Sequence, residues 1–167
     1  MVERTGPDII LTGGTNSIDD QLISTVRTLI ASAKSQSIVG LDLEDIRGLF
    51  YTPSNGDDFC IGSNPLGQAR SRFASAEGNR GVPLASLAST ALQNAAANEL
   101  PGKPQGIFVS VRASSDYQLR IKDVLTLHNL VHSRFGEEMT FACGAWCSED
   151  YLAPGTVAVD VFSVRPV

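Results

Sequence analysis

Residues 38–50 read IVGLDLEDIRGLF and hold three carboxylates in four positions, Asp42, Glu44 and Asp45, between two apolar runs. Carboxylates in this pattern have two uses. As a helix start, Asp42 takes the N-cap and Asp45 answers it three residues later in an approximate capping box. Glu44 is then favoured by the helix dipole, and the set contributes about 1–2 kcal/mol. The same groups at an exposed helix start can also orient a water or a cation against a phosphate, including as a metal-dependent enzyme site of their own. Local residue types leave both uses open.

Other residues with chemical potential read more plainly. His128 and His132 in HNLVH stand at i, i+4 and so within reach of one metal ion. No Glu follows His128 as the zinc-protease pattern requires, and His128 falls within the apolar stripe of its segment, so packed or capping histidines are expected. LTGGTN (11–16) approximates a phosphate-binding glycine loop. It lacks the following Lys-Ser/Thr, the full glycine spacing and a preceding strand. Cys143 and Cys147, four apart without a basic neighbour, read together with Cys60 as reduced core thiols of a cytoplasmic protein. No metal and no cofactor of its own is expected.

The elements that must position these groups follow from hydrophobic periodicity. Ile18, Leu22, Ile23, Val26, Leu29 and Ile30 recur at helical spacing, and a second helix is expected over 43–50. FCIG (59–62) reads as a short buried strand and the polar, Gly-rich 63–82 as loop. Pro83 opens an alanine-rich helix, 84–99. Residues 107–114 are a strong strand, and 119–135 a helix with Ile121, Val124, Leu125, His128, Val131 and Phe135 along one face. Two further strands, 139–147 and 156–164, are expected to pair as a hairpin, and 59–62 to lie parallel to 107–114 across the intervening helix. The fold class is therefore α/β (α+β), a four-stranded mixed sheet packed by helices. Residues 1–15 read as an irregular lead-in, 16–37 as a long helix and its end, and 38–167 as the domain proper.

The chain has 167 residues, 43% of them apolar and 19% charged, with a net charge of −5. That suits one domain with a substantial core and argues against a general affinity for nucleic acid or anionic membrane; short basic clusters such as Arg70-Ser71-Arg72 read as solvated surface. The N-terminus lacks the pattern of a signal peptide, and no run approaches the roughly 18 apolar residues of a membrane span.

From about Asn16 onward the chain resembles the second half of FtsZ, the tubulin-like cell-division GTPase: its central helix, the loop after it and its C-terminal domain. SIDDQLISTVRTLIASAKSQSIVGLDLEDIRGLF is similar to the central helix, loop and next helix, GIFVSVRASSDYQLRIKDVLTLHNLVHSRFG to a strand and a Leu-Arg-Leu helix start, and MTFACGAWCSEDYLAPGTVAVDVFSV to the closing strands. The family loop has the form Asn-x-Asp-x-x-Asp. Here Asp42 and Asp45 occupy both aspartate positions, and Gly40 stands where the asparagine would be.

The resemblance implies that Asp42 and Asp45 act in trans, orienting water against the GTP of a neighbouring subunit. Phosphoryl transfer depends chiefly on such positioning. Gly40, Leu41, Leu43, Glu44, Arg47 and Arg120 would form the surrounding contact face. The glycine-rich tubulin signature Gly-Gly-Gly-Thr-Gly-Thr-Gly is absent from these residues, so the chain alone is expected neither to bind nor to hydrolyse GTP, and it is expected to act without the family's linker and C-terminal partner-binding peptide. The expected role is a polymer-interaction module for an FtsZ-type GTPase, or for a missing GTPase half, that caps a filament or modulates turnover. The alternative is a repurposed domain that binds a small ligand or an unrelated protein.

Overall fold

The computed structural model describes residues 8–11, 27, 28, 30, 37–39, 45, 68–96, 104, 106–147 and 152–166. Six strands, β1 (Asp8–Leu11), β2 (Ser37–Val39), β3 (Gln68–Asn79), β4 (Gly106–Ala113), β5 (Thr140–Cys147) and β6 (Thr156–Pro166), form one mixed sheet in the order β1-β3-β6-β4-β5-β2. Two described helices of full length, α1 (Leu84–Ala96) and α2 (Ile121–Phe135), connect β3 to β4 and β4 to β5. The four long strands β3, β6, β4 and β5 make a four-stranded mixed sheet of the expected class, with β3 drawn from a segment expected to be loop and β1 and β2 added at the edges.

β6 is the centre of the sheet because it is apolar on both faces. Val157, Val159 and Val161 point to one side and Ala158, Phe162 and Val164 to the other, and all are buried. A strand buried on both faces is most stable with both edges paired. β6 accordingly lies antiparallel to β3 (Phe73 opposite Phe162) and to β4 (Phe108 opposite Phe162). This overturns the expected hairpin: β5 pairs instead with β4, in parallel, through the α2 crossover. β3 and β4 run parallel to each other, as expected of strands joined by a helix, but with β6 inserted between them.

One face of the sheet carries both helices. Leu87, Ala91 and Leu92 of α1 and Val124, Leu127 and Val131 of α2 pack onto Val109, Val111, Val159 and Val161. The α1 interface is close: a Cβ at Gly78 would stand 3.0 Å from a Leu87 methyl. The α2 stripe is rotated from the expected one. Ile121, Leu125 and His128 fall on an adjacent, exposed row, with Ile121 71% and Leu125 59% exposed, because Leu127 completes the i, i+3, i+7 set of Val124 and Val131. Two apolar rows overlap on this helix, and only packing selects between them.

Further expectations need correction. Residues 68–79 are not loop; their Ala, Ser, Arg and Gly content is poor in strand formers, and they are drawn into the sheet by pairing along β6 from Ala69 to Asn79. The N-terminal lead-in contains β1, whose Ile9-Ile10-Leu11 run pairs in parallel with Ala69 to Ser71. Arg72 is buried rather than solvated, and Cys147 is exposed rather than core. In the segment read as the first helix, Arg27, Thr28 and Ile30 are helical, but Thr28 is the buried residue and Ile30 is exposed. The strand expected at 59–62 lies outside the described residues. Among those described, no helix is long and apolar enough to cross a membrane.

Replacing Leu127, which is 0% exposed, by alanine is expected to lower stability by about 2–5 kcal/mol. Leu125→Ala should change it by less than about 0.5 kcal/mol. Urea unfolding midpoints of the two variants check the orientation of α2 directly.

Candidate functional site

The C-terminal ends of β3 and β4 and the start of β6 meet at one end of the sheet, and short connections there build a compact polar cluster. Asp116, in the β4–α2 connection, organises it. Its carboxylate accepts from the Gly155 N–H at 2.7 Å and from Ser114 Oγ at 2.8 Å, and Arg80 lies beside it with Nη2 3.8 Å from Oδ2. Arg80 Nη2 also donates to the Asp116 carbonyl, and the Arg80 N–H to the Gly155 carbonyl at 3.1 Å. Gly155 adopts φ +73°, a left-handed conformation that glycine takes without steric penalty. The Gly155 and Ser114 hydrogen bonds, with the Arg80 cation, hold the Asp116 carboxyl below its ordinary pKa of 3.8.

Arg120 follows as the N-cap of α2, its backbone extended (φ −122°, ψ 150°). Asp123 closes the helix start: its carboxylate accepts from the Arg120 N–H at 3.0 Å and its own N–H donates to the Arg120 carbonyl at 2.9 Å. Around this start opens a cleft of about 370 Å³ lined by Arg80, Tyr117, Gln118, Arg120, Lys122 and Asp123. Three of the six lining residues are cationic, on a chain of net charge −5, and the positive end of the helix dipole adds to them. Tyr117 is half-buried, and its phenol is raised in pKa by burial and by Asp123. Such a cleft suits an anionic group, from a ligand or from the surface of a partner.

Of the residues read from the sequence, Arg120 stands exposed on this cleft and Asp45 is helical and exposed. Gly40, Leu41, Asp42, Leu43, Glu44 and Arg47 lie outside the described residues. Arg80, Asp116, Tyr117 and Asp123 were not singled out beforehand. Asp123, three residues after Arg120, was the available signal, a carboxylate at the third position of a helix. His128 and His132 stack with centroids 4.2 Å apart against the edge of Phe141, at 5.4 and 5.7 Å. His128 is exposed rather than packed in the core, and among the described residues no three potential ligands gather around a metal position. Burial pushes the Cys143 thiol up to about 12, which leaves it inert at neutral pH.

The fold has clear relatives among solved structures. FtsZ from M. jannaschii, solved as an empty dimer, matches 88% of this chain with a TM-score of 0.65 and 19% identity, and a second FtsZ structure from the same organism matches 89% with the same score and identity. CetZ2 from Haloferax volcanii, solved as a GTPγS-bound protofilament, matches 91% with a TM-score of 0.56 and 14% identity. The chain spans 37–42% of the length of those proteins. No family model matches the sequence, and no curated protein does. The likeness establishes the fold as that of the FtsZ C-terminal domain.

Because the folded-state pKa of Asp116 lies below 3.8, its contribution to stability is fully present above that pH and is lost as pH falls through the lower folded value. Urea midpoints measured from about pH 5 down to pH 2 should therefore fall less steeply for Asp116→Asn than for the unaltered chain. Equal slopes would show that the carboxylate does not hold the three connections together.

Proposed function

We propose that this chain is a docking module for an FtsZ-type GTPase. It presents the Gly40–Asp45 segment, with Arg47 and Arg120, to the nucleotide face of a partner subunit. The observation that carries the reading is the extent of the likeness. About nine-tenths of the chain takes the fold of proteins solved as a dimer and as a nucleotide-bound protofilament, while covering under half of each.

Several features support this role. Arg120 is exposed on a cationic cleft, a surface suited to an acidic or phosphate-bearing face. Asp45 is exposed on a helix, as a carboxylate acting on a neighbour must be. In this reading Asp42 and Asp45 orient a water towards the partner's GTP, and the module supplies no nucleotide of its own. Positioning is the larger part of phosphoryl-transfer catalysis, so two carboxylates held against the partner's nucleotide are enough to alter turnover. The docked module is a filament cap or a GTPase half-site, according to whether a further subunit can add behind it. A second reading, a stand-alone domain binding a small anionic ligand, draws on the same cleft and on its size, which is in the range of small-molecule sites.

GTP turnover by an FtsZ-type GTPase, titrated with this chain and with its Asp42→Ala/Asp45→Ala variant, separates the readings. The module reading predicts that the unaltered chain changes turnover at stoichiometric amounts and that the variant loses about 100-fold or more of any stimulation. Equal effects from both proteins would remove the catalytic role and leave docking. No effect from either would favour the small-ligand reading.

A further inference from the structure

His128 and His132 stand one turn apart on α2, with ring centroids separated by 4.2 Å and planes tilted by 40°. Both rest on the same third ring, Phe141 of β5, in edge contacts at 5.4 and 5.7 Å. Their sequence neighbours Leu127 and Val131 belong to the buried row of α2, so the two histidines flank that row at the margin of the helix–sheet interface. His128 is exposed and His132 half-buried.

Packing on Phe141 accounts for the rings but not for every atom. Nδ1 of His132 is buried and has no hydrogen-bond partner among the described residues. A neutral imidazole carries one N–H and one bare nitrogen. With no acceptor beside Nδ1, the proton is assigned to Nε2, and Nδ1 keeps a lone pair that receives no donor. A metal ion is what such a nitrogen accepts.

The spacing of the rings fits this use. An ion about 2.0–2.1 Å from one nitrogen of each ring, with those bonds at about 90–109°, sets the ring centroids about 4.5–5.2 Å apart. The observed 4.2 Å lies within a small side-chain adjustment of that range, and exposed His128 can make it. Phe141 backs the pair with apolar surface, which limits competition from water on that side. His132 also lies in the last turn of α2, where the helix dipole favours a cation, and Arg134 of the same turn lies over Phe135.

The geometry points to a two-histidine site for a divalent transition ion, held by Nδ1 of His132 and a ring nitrogen of His128 with water in the remaining positions. Imidazole donors suit copper(II), nickel(II) or zinc(II) rather than magnesium or calcium, and the general order of affinity puts copper above zinc. Among the described residues no third His, Cys, Asp or Glu completes a cluster, so the ion is exchangeable rather than structural. The site is about 12 Å along α2 from Arg120, and it is independent of that cleft and of the GTPase reading.

The test uses the whole 167-residue chain without a histidine tag, labelled with nitrogen-15 and titrated with zinc chloride. The ring nitrogens of His128 and His132 should shift together and saturate at one ion per chain, and calorimetry should rank copper(II) above zinc. His128→Gln and His132→Gln should each weaken zinc binding at least about tenfold; His128→Gln, at an exposed position, keeps the test decisive if His132→Gln fails to fold. Cys147 is the exposed thiol that could compete, so Cys147→Ser should leave binding unchanged. A shift in one ring alone, equal binding by His128→Gln, loss of binding in Cys147→Ser, or no shift up to about 1 mM zinc would overturn the site. So would one ion per two chains with a doubled sedimentation mass, since the ligands would then be shared between copies.

Discussion

Asp160 lies in the middle of the central strand, 1% exposed, and meets Arg112 of the neighbouring strand in a two-pronged ion pair: Nε to Oδ2 at 2.5 Å and Nη2 to Oδ1 at 2.9 Å. Ser75 of β3 donates to the same carboxylate at 2.7 Å, so the cluster stitches β3, β6 and β4 together. Burial alone would lower the pKa of Arg112; the hydrogen bonds and charge of Asp160, with Glu77 further off, outweigh it and raise the guanidinium's affinity for its proton. A carboxylate buried so deeply is tolerated only when each oxygen is satisfied. That requirement admits a single register, because sliding β3 or β4 by one residue would carry Ser75 or Arg112 to the opposite face. The neighbouring row repeats the constraint in apolar form, with Phe73, Phe162 and Phe108 side by side across the same three strands.

Function-bearing geometry follows from that register. With β3, β4 and β6 locked, the ends of the strands bring the Arg80 turn, the Ser114–Arg120 connection and Gly155 to one place, where Asp116 ties them. The start of α2 is thereby fixed, and with it the direction in which Arg120 and Lys122 leave the surface. Among the described residues the locked register also carries β3 past the end of its pairing with β1. The second face of the sheet is buried at its centre, at Phe108, Trp146, Ala158 and Phe162, with Trp146 Nε1 donating to Ser110 Oγ at 3.0 Å within it. Asp160 therefore sits in the interior of the molecule and acts on the cleft only through the strands it aligns.

Much of this was legible in the residues. The α1 and α2 segments and the β4, β5 and β6 runs follow from period and composition, and the alternation of Val157, Val159 and Val161 against Ala158, Asp160 and Phe162 gives the two faces of β6 correctly. The resemblance to FtsZ carried on short motifs agrees with the fold. Pairing order was not legible: β5 and β6 are sequence neighbours with a turn between them, and only the need to bury both faces of β6 places it between β3 and β4. β3 was hidden because its strand character comes from its partner rather than from its own Ala, Ser and Gly. The Asp116 cluster was hidden for a related reason, since Asp116 stands 36 residues from Arg80 and 39 from Gly155 along the chain. The catalytic reading of Asp42 rests on resemblance, with its loop outside the described residues.

A double-mutant cycle on Arg112 and Asp160 tests most directly whether this pair fixes the register on which the cleft depends. Asp160→Leu and Arg112→Met, singly and combined, would be compared by urea unfolding of the whole chain. The account predicts that each single replacement strands a buried charge or its partner and lowers stability by about 3–5 kcal/mol, while the double replacement lowers it by clearly less than their sum. Additive losses below about 1 kcal/mol each, the size of an exposed ion pair, would contradict it.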